Sequence, residues 1–304
     1  MDADDLKARA IDACLRAGAT LPRALVDGMI ELLEPALRLV PRPSPTSVAD
    51  DEDEELAASD RPSGGSRIGG LPDLPDDVRW PTFRGLPSSP NARRWARHVG
   101  HPLSFVAQID LAEVAPLVAP GLLPERGFLF FFYTDAMEVF DLYPDQGALA
   151  EVLWADVDRD ALRYTIRPSE LAADEVYRGA PVAPVRVWTL PTPRRLIAAG
   201  LDPEVIEEHV DAWDRLALEV AAAQGQGRAA PRHHLLGHPE LIESQGLRQG
   251  ERLLLQIDSD PPVGSGFPRT GMMWGDAGRI FFTIDEGDLR ERRFDRARAI
   301  FECA

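Results

Sequence analysis

Apolar positions over residues 3–40 recur at helical spacing. Leu6, Ala10, Ile11, Cys14 and Leu15 form one stripe, and Leu25, Met29, Leu32, Leu33, Ala36 and Leu37 form a second. Gly18 to Pro22 separates them, and Pro22 suits a first helical turn, where the amide that proline lacks has no partner anyway. Pro35 falls inside the second stripe and would kink or shorten that helix. The expectation is an N-terminal two-helix segment over residues 1–40. Residues 41–66 then carry clustered prolines, the acidic run Asp50 to Glu55, and Ser63-Gly64-Gly65-Ser66. Such a stretch holds too little apolar surface to offset the entropy of ordering it, so it reads as a mobile linker.

From Arg67 onward the pattern shortens to β-rich runs punctuated by Pro and Gly. Leu103 to Asp110, Gly127 to Tyr133, Glu151 to Trp154 and Leu162 to Ile166 read as strands. Val185 to Leu190 alternates cleanly, as a strand with one solvated face does. Residues 203–223 predict one helix: Val205, Ile206, His209, Val210, Trp213, Leu216, Ala217 and Val220 share a face, Pro203 opens it and Gly225 closes it. The class expected is α+β, with mainly antiparallel sheets and one domain over residues 67–304.

Two distant segments within that domain say nearly the same thing. Leu103-Ser104-Phe105-Val106-Ala107-Gln108-Ile109-Asp110 is followed by Gly127-Phe128-Leu129-Phe130-Phe131. Arg252-Leu253-Leu254-Leu255-Gln256-Ile257-Asp258 is followed by Gly278-Arg279-Ile280-Phe281-Phe282. A Gly-x-Pro precedes each, at Gly70-Leu71-Pro72 and Gly237-His238-Pro239. Three ordered features in common predict an internal duplication, with copies around 67–135 and 232–285. A lone strand pair is marginally stable, so each copy needs the other or a helix to cover its apolar face. The Asp ending each strand is expected to cap the following turn, accepting from the amide two residues on.

Composition narrows the functional classes. A chain of 304 residues can bury a substantial core. Its apolar runs, such as Gly127 to Phe132, are too short to span a bilayer. The acidic start Met1-Asp2-Ala3-Asp4-Asp5 is unlike a secretory signal. Cys14 and Cys303 lie at opposite ends, which suits a reducing compartment; a cytoplasmic location is expected. The formal charge is −17 and the pI 4.8. Such a surface repels phosphate backbones and anionic membranes, which argues against both as partners. It would steer a basic protein, although solubility alone explains the same charge. Lys7 is the single lysine, and the arginine, alanine and proline usage fits a GC-rich bacterial genome.

These motifs resemble the YwqG-like family, also called DUF1963. The resemblance rests on Ile68-Gly69-Gly70-Leu71-Pro72-Asp73-Leu74-Pro75 with Trp80-Pro81, and on the strand ending Gln108-Ile109-Asp110. It continues through His234-Leu235-Leu236-Gly237-His238-Pro239, Leu253 to Asp260, and Met273-Trp274-Gly275-Asp276-Ala277-Gly278 with Ile280-Phe281-Phe282. It covers residues from about Arg67 to the C-terminus. His238 stands where many relatives look to have tyrosine. The resemblance implies an α+β fold with antiparallel sheets and brings no established activity. Some relatives look like neighbours of bacterial toxin–immunity genes, which implies a protein-binding role.

The densest polar set is Gln256, Asp258, Ser259, Asp260, Trp274, Gly275 and Asp276, with Pro261 to Met273 as a Pro/Gly-rich loop beside it. If Asp258, Asp260 and Asp276 converge, three carboxylates suit calcium or magnesium, although the full Asp-x-Asp-x-Asp-Gly loop is missing. The alternative is that the aspartates cap turns while Gln256 satisfies nearby backbone. His233, His234 and His238, and His98 and His101, lack any Cys-x-x-Cys or His-Glu-x-x-His context and read as ordinary loop or strand residues. There is no Gly-x-Ser-x-Gly elbow, and Ser104 and Cys14 sit in apolar patterns. Trp80 and Trp274 lie in loops, where they would line a groove or pack in the core.

The expected role is a non-catalytic binding protein. It would take a protein partner or small ligand in a groove between the two copies, at Trp80, Gln108, Asp110, His238, Gln256, Asp258, Asp260, Trp274 and Asp276. The alternative is a divalent-metal-dependent hydrolase using the three aspartates; beyond that cation no cofactor is expected.

Overall fold

The computed structural model describes residues 3–42, 63–85, 92–134, 149–227, 230–242, 247–260 and 270–303. Helices α1 (Ala3–Ala17) and α2 (Arg23–Glu31) follow the two apolar stripes, but the tail of the second stripe is not helical. Ala36 and Leu37 belong instead to strand β1 (Glu34–Pro41). Pro35 supplies the reason, because its ring would clash with the carbonyl of Glu31, where α2 stops. Beyond it the period is two: Leu37 and Leu39 point into the core and Arg38 points the other way. The linker and the Pro261–Met273 loop fall mostly outside the described residues.

Along the chain follow β2 (Arg67–Ile68), β3 (Asp73–Pro75), α3 (Ala92–Trp95), β4 (Ser104–Asp110), α4 (Leu111–Val114), β5 (Phe128–Tyr133) and β6 (Ala150–Ala155). Then come β7 (Leu162–Tyr164), β8 (Ala180–Thr189), α5 (Pro193–Ala198), α6 (Pro203–Glu208), α7 (Val210–Ala223) and β9 (His234–Leu235). The chain closes with β10 (Glu251–Asp258), β11 (Arg279–Asp285), α8 (Glu286–Arg290) and β12 (Arg298–Glu302). The helix expected over 203–223 is two helices, because His209 leaves helical geometry (φ −115°, ψ 13°) between α6 and α7.

Ten strands form one sheet in the order β12-β11-β10-β9-β1-β8-β2-β4-β5-β6, while β3 and β7 pair separately. Every pairing in it is antiparallel. The ladders on the two sides of the central β1–β8 pair match. Arg67 and Ile68 stand opposite Gln108 and Ala107, as His234 and Leu235 stand opposite Gln256 and Leu255. Phe130 pairs with Gln108 and Phe281 with Gln256. The register slips at corresponding places, between Phe105 and Ala107 and between Leu253 and Leu255. One glycine precedes each aromatic strand for the same steric reason. A Cβ on Gly127 would collide with the carbonyl oxygen of Ala155, and one on Gly278 with that of Glu302, each on the neighbouring strand.

The sheet curls until β6 and β12 meet, giving an almost closed barrel. Its inner core draws on both sides: Phe131 and Phe282 cross edge to face with ring centroids 5.1 Å apart. A second core lies outside β8, where Cys14, Leu25, Met29, Trp213 and Leu216 from α1, α2 and α7 cover Trp188 and Leu190. No helix among the described residues is long and apolar enough to cross a membrane.

Candidate functional site

The two Gln-Ile-Asp strands carry buried polar centres built on one plan. Gln108 accepts from the amide of Asp73 (2.9 Å) and donates to the carbonyl of Gly65 (3.1 Å). Gln256 accepts from the amide of Glu240 (2.9 Å) and donates to the carbonyl of Arg232 (3.1 Å). Each side chain thereby ties the strand to the turn before the short β2 or β9 and to the segment after its Gly-x-Pro. Neither is exposed at all. The amide of Asp110 donates to Ser66 Oγ (3.1 Å) and that of Asp258 to His233 Nδ1 (3.1 Å).

The aspartates then diverge. Asp110 caps α4 through the amide of Ala112 (2.9 Å), as the sequence suggests, and pairs with Arg159 (Nε–Oδ2 2.8 Å). Asp258 caps no turn. It pairs with Arg279, which occupies the position of Phe128 in the other ladder, and accepts from the amide of Arg232 (2.8 Å).

The three aspartates expected as metal ligands are engaged separately. Asp258 is held as above, Asp260 accepts from the amide of Thr270 (3.0 Å), and Asp276 is exposed. No group of three His, Cys, Asp or Glu side chains among the described residues is placed to hold a metal ion. Trp274 is 2% exposed, wedged between the rings of Tyr133 and Tyr177, and Trp80 donates to the carbonyl of Leu103 (2.8 Å) with its ring against Phe132. Both tryptophans pack in the core rather than lining an open groove. His238 approaches the carbonyl of Leu32 (2.8 Å), His234 lies between two carbonyls, and His101 pairs with Glu175 (2.9 Å). Burial pushes the Cys14 thiol up to about 11, which removes it as a nucleophile near neutrality.

What the structure adds is a cavity of about 480 Å³ between α7 and the outer face of the sheet. Helix α7 supplies Val210, Trp213 and Ala217, and β8 supplies Val187 and Trp188. Gln224, just past α7, fixes that spacing. Its amide accepts from Trp188 N–H (2.7 Å) and donates to Trp188 C=O (2.9 Å), standing in for a neighbouring strand. The polar side is Arg38, Arg194, Arg232 and Arg279, against one lining carboxylate among the described residues, Glu240.

Two of the arginines have carboxylate partners, Arg232 with Glu240 and Arg279 with Asp258, and Arg194 donates to the carbonyl of Leu247 (3.2 Å). Arg38 differs: Nε and Nη1 are buried with no hydrogen-bond partner among the described residues, and burial pulls the guanidinium below its ordinary value. Trp188 meets α7's end through its backbone, and its ring lies instead under Lys7, whose ammonium is 4.5 Å from the ring centroid. Sequence periodicity passed over Arg38. The available signal was a charge flanked by apolar residues at period two, Leu37-Arg38-Leu39.

Burial, outweighing the attraction of Arg232 and Arg279, raises the Glu240 carboxyl from 4.5 to about 7; Asp258 pushes in the same direction. The folded chain therefore holds this proton more tightly than the unfolded chain does. The associated stability is full below about 4.5 and is lost as pH rises through about 7. In urea melts from pH 5 to pH 8, Glu240→Gln is expected to gain on the parent steadily as pH rises. A stability difference flat across that range would show that Glu240 does not titrate there.

A family model described as "Domain of unknown function (DUF1963)" matches residues 66–303. No curated protein matches the chain.

Proposed function

Since this chain belongs to the DUF1963 family, whose model assigns no activity, we propose from its geometry that it is a non-catalytic binding protein. Its site is the cavity beneath α7. The observation that carries this reading is a space of ligand size beside Arg38, a guanidinium with buried donors that have no partner among the described residues. Buried polar groups are almost always satisfied, and binding cavities combine apolar walls with a few directed polar groups. Apolar α7 on one side and arginines on the other fit that description.

We further infer that the two ladders descend from a duplicated strand unit. The matched registers, the paired glycines and the parallel hydrogen bonds of Gln108 and Gln256 support it. The cavity, however, draws on β1, β8 and the second unit. In the corresponding place of the first unit, Arg67 pairs with Asp73 where His234 and Glu240 stand in the second. Divergence after duplication freed one unit to build a site while the other kept a closed ion pair.

The reading is tested by thermal melts with benzoate, hexanoate, phenyl phosphate, benzamide, hexanol and benzylamine, in the parent and in Ala221→Phe. Ala221 lines the cavity, and the added ring fills it. At a hundredfold excess over Kd a ligand specific for the folded state contributes about 2.7 kcal/mol, a rise of several degrees. At least one probe is expected to raise the parent's transition and to lose that effect in Ala221→Phe. A parent that responds to none of them, or a response unchanged in the filled variant, refutes the assignment.

A further inference from the structure

We infer that the cavity recognises an organic oxyanion with an apolar body, its carboxylate or phosphate head on Arg38 and its body against α7. This deepens the binding reading above and rests on it.

The unsatisfied groups set the polarity of the ligand. Arg38 Nε and Nη1 are donors, so the head that complements them must accept; Glu240 Oε2, likewise without a hydrogen bond, already lies against Arg232. A guanidinium presents its N–H groups as a planar fork that matches two oxygens of a carboxylate or phosphate, and such charge-assisted pairs are the stronger kind of hydrogen bond. The charges on the wall agree. Among the described residues Glu240 pairs with Arg232 and Arg279 with Asp258, while the part-buried Arg38 has no carboxylate partner. A part-buried charge with no counter-charge is costly, and an arriving anion removes that cost. A cationic ligand would meet repulsion, and a neutral one would leave the guanidinium charge unanswered.

The remaining walls set the body. Trp213, Val210, Ala217 and Leu241 give an apolar surface, and about 480 Å³ accommodates a ring or short chain with its head group.

The test is calorimetry on the full chain at fixed ionic strength with benzoate, phenyl phosphate, benzamide and benzylamine, repeated on Arg38→Met. In the parent, at least one of the two anions is expected to bind tenfold or more tightly than benzamide, with benzylamine weakest; the ratio of benzoate to phenyl phosphate tells carboxylate from phosphate. In Arg38→Met the anions are expected to lose that advantage while benzamide is unchanged. The unliganded variant should melt higher than the parent, because an uncompensated charge has gone. Benzamide or benzylamine binding as well as the anions, or anion affinity intact in Arg38→Met, overturns the oxyanion assignment and leaves the cavity reading standing. If no probe binds the parent, both fall. The ranking in the parent decides the matter even where the variant fails to fold.

Discussion

A chain starting at Ser63, close to where the family match begins, is expected not to fold cooperatively. It lacks β1, which pairs with β8 from Glu34–Thr189 to Pro41–Val182 and holds β9 at Leu37 and Arg38. It also lacks α1 and α2, whose Cys14, Leu25 and Met29 cover Trp213 and Leu216. Each buried side chain of that size contributes about 1.5–3 kcal/mol. Losing Leu37, Leu39, Leu25 and Met29 together is comparable to the roughly 5–15 kcal/mol net stability typical of a domain. Urea melts followed by circular dichroism would check this. A sharp transition for residues 63–304 near that of the full chain would mean that β1 is dispensable.

Gln108→Ala and Gln256→Ala are each expected to cost about 3–5 kcal/mol, and to agree within about 1 kcal/mol. Each substitution strands an amide N–H and a carbonyl that Gln had satisfied, about 1–3 kcal/mol per group, and opens a void in a fully buried position. Agreement is expected because the two side chains share the same two backbone bonds, and the additional one from Gln108 to Asp73 Oδ2 is long (3.3 Å). Urea midpoints of the two variants provide the comparison. A cost below about 1 kcal/mol for either would mean that water or a shifted loop replaces its bonds.

Sequence periodicity captured the elements whose apolar runs exceed four or five residues, such as β4, β5, β10 and β11. It missed β1 because Leu32, Leu33, Ala36 and Leu37 satisfy helical spacing, while the change of period starts only past Pro35. Strands β2 and β9 hold two residues each, too few to show any period. The Gln-Ile-Asp signature was plain in both strands, yet the partners of the glutamines lie in turns near residues 65 and 232, which no local pattern connects to them. Asp110 behaves as its position suggests. Asp258 does not, because Arg279 stands opposite it where the other ladder has Phe128.

The candidate site was the least legible part. A pairing that joins residue 38 to residues 185 and 234 brings it together, and the telling property is a missing partner. Absence of a counter-charge is a fact about three dimensions, and hydropathy cannot register it.

The meeting of β6 with β12 also governs how copies of this chain can associate. An open sheet offers unpaired amides and carbonyls at each margin, on which a stranger's strand can dock and seed fibres. Here the margin strands turn toward each other, and the segment around Phe294 packs against β6. Backbone zippering at these two margins is thereby blunted by topology.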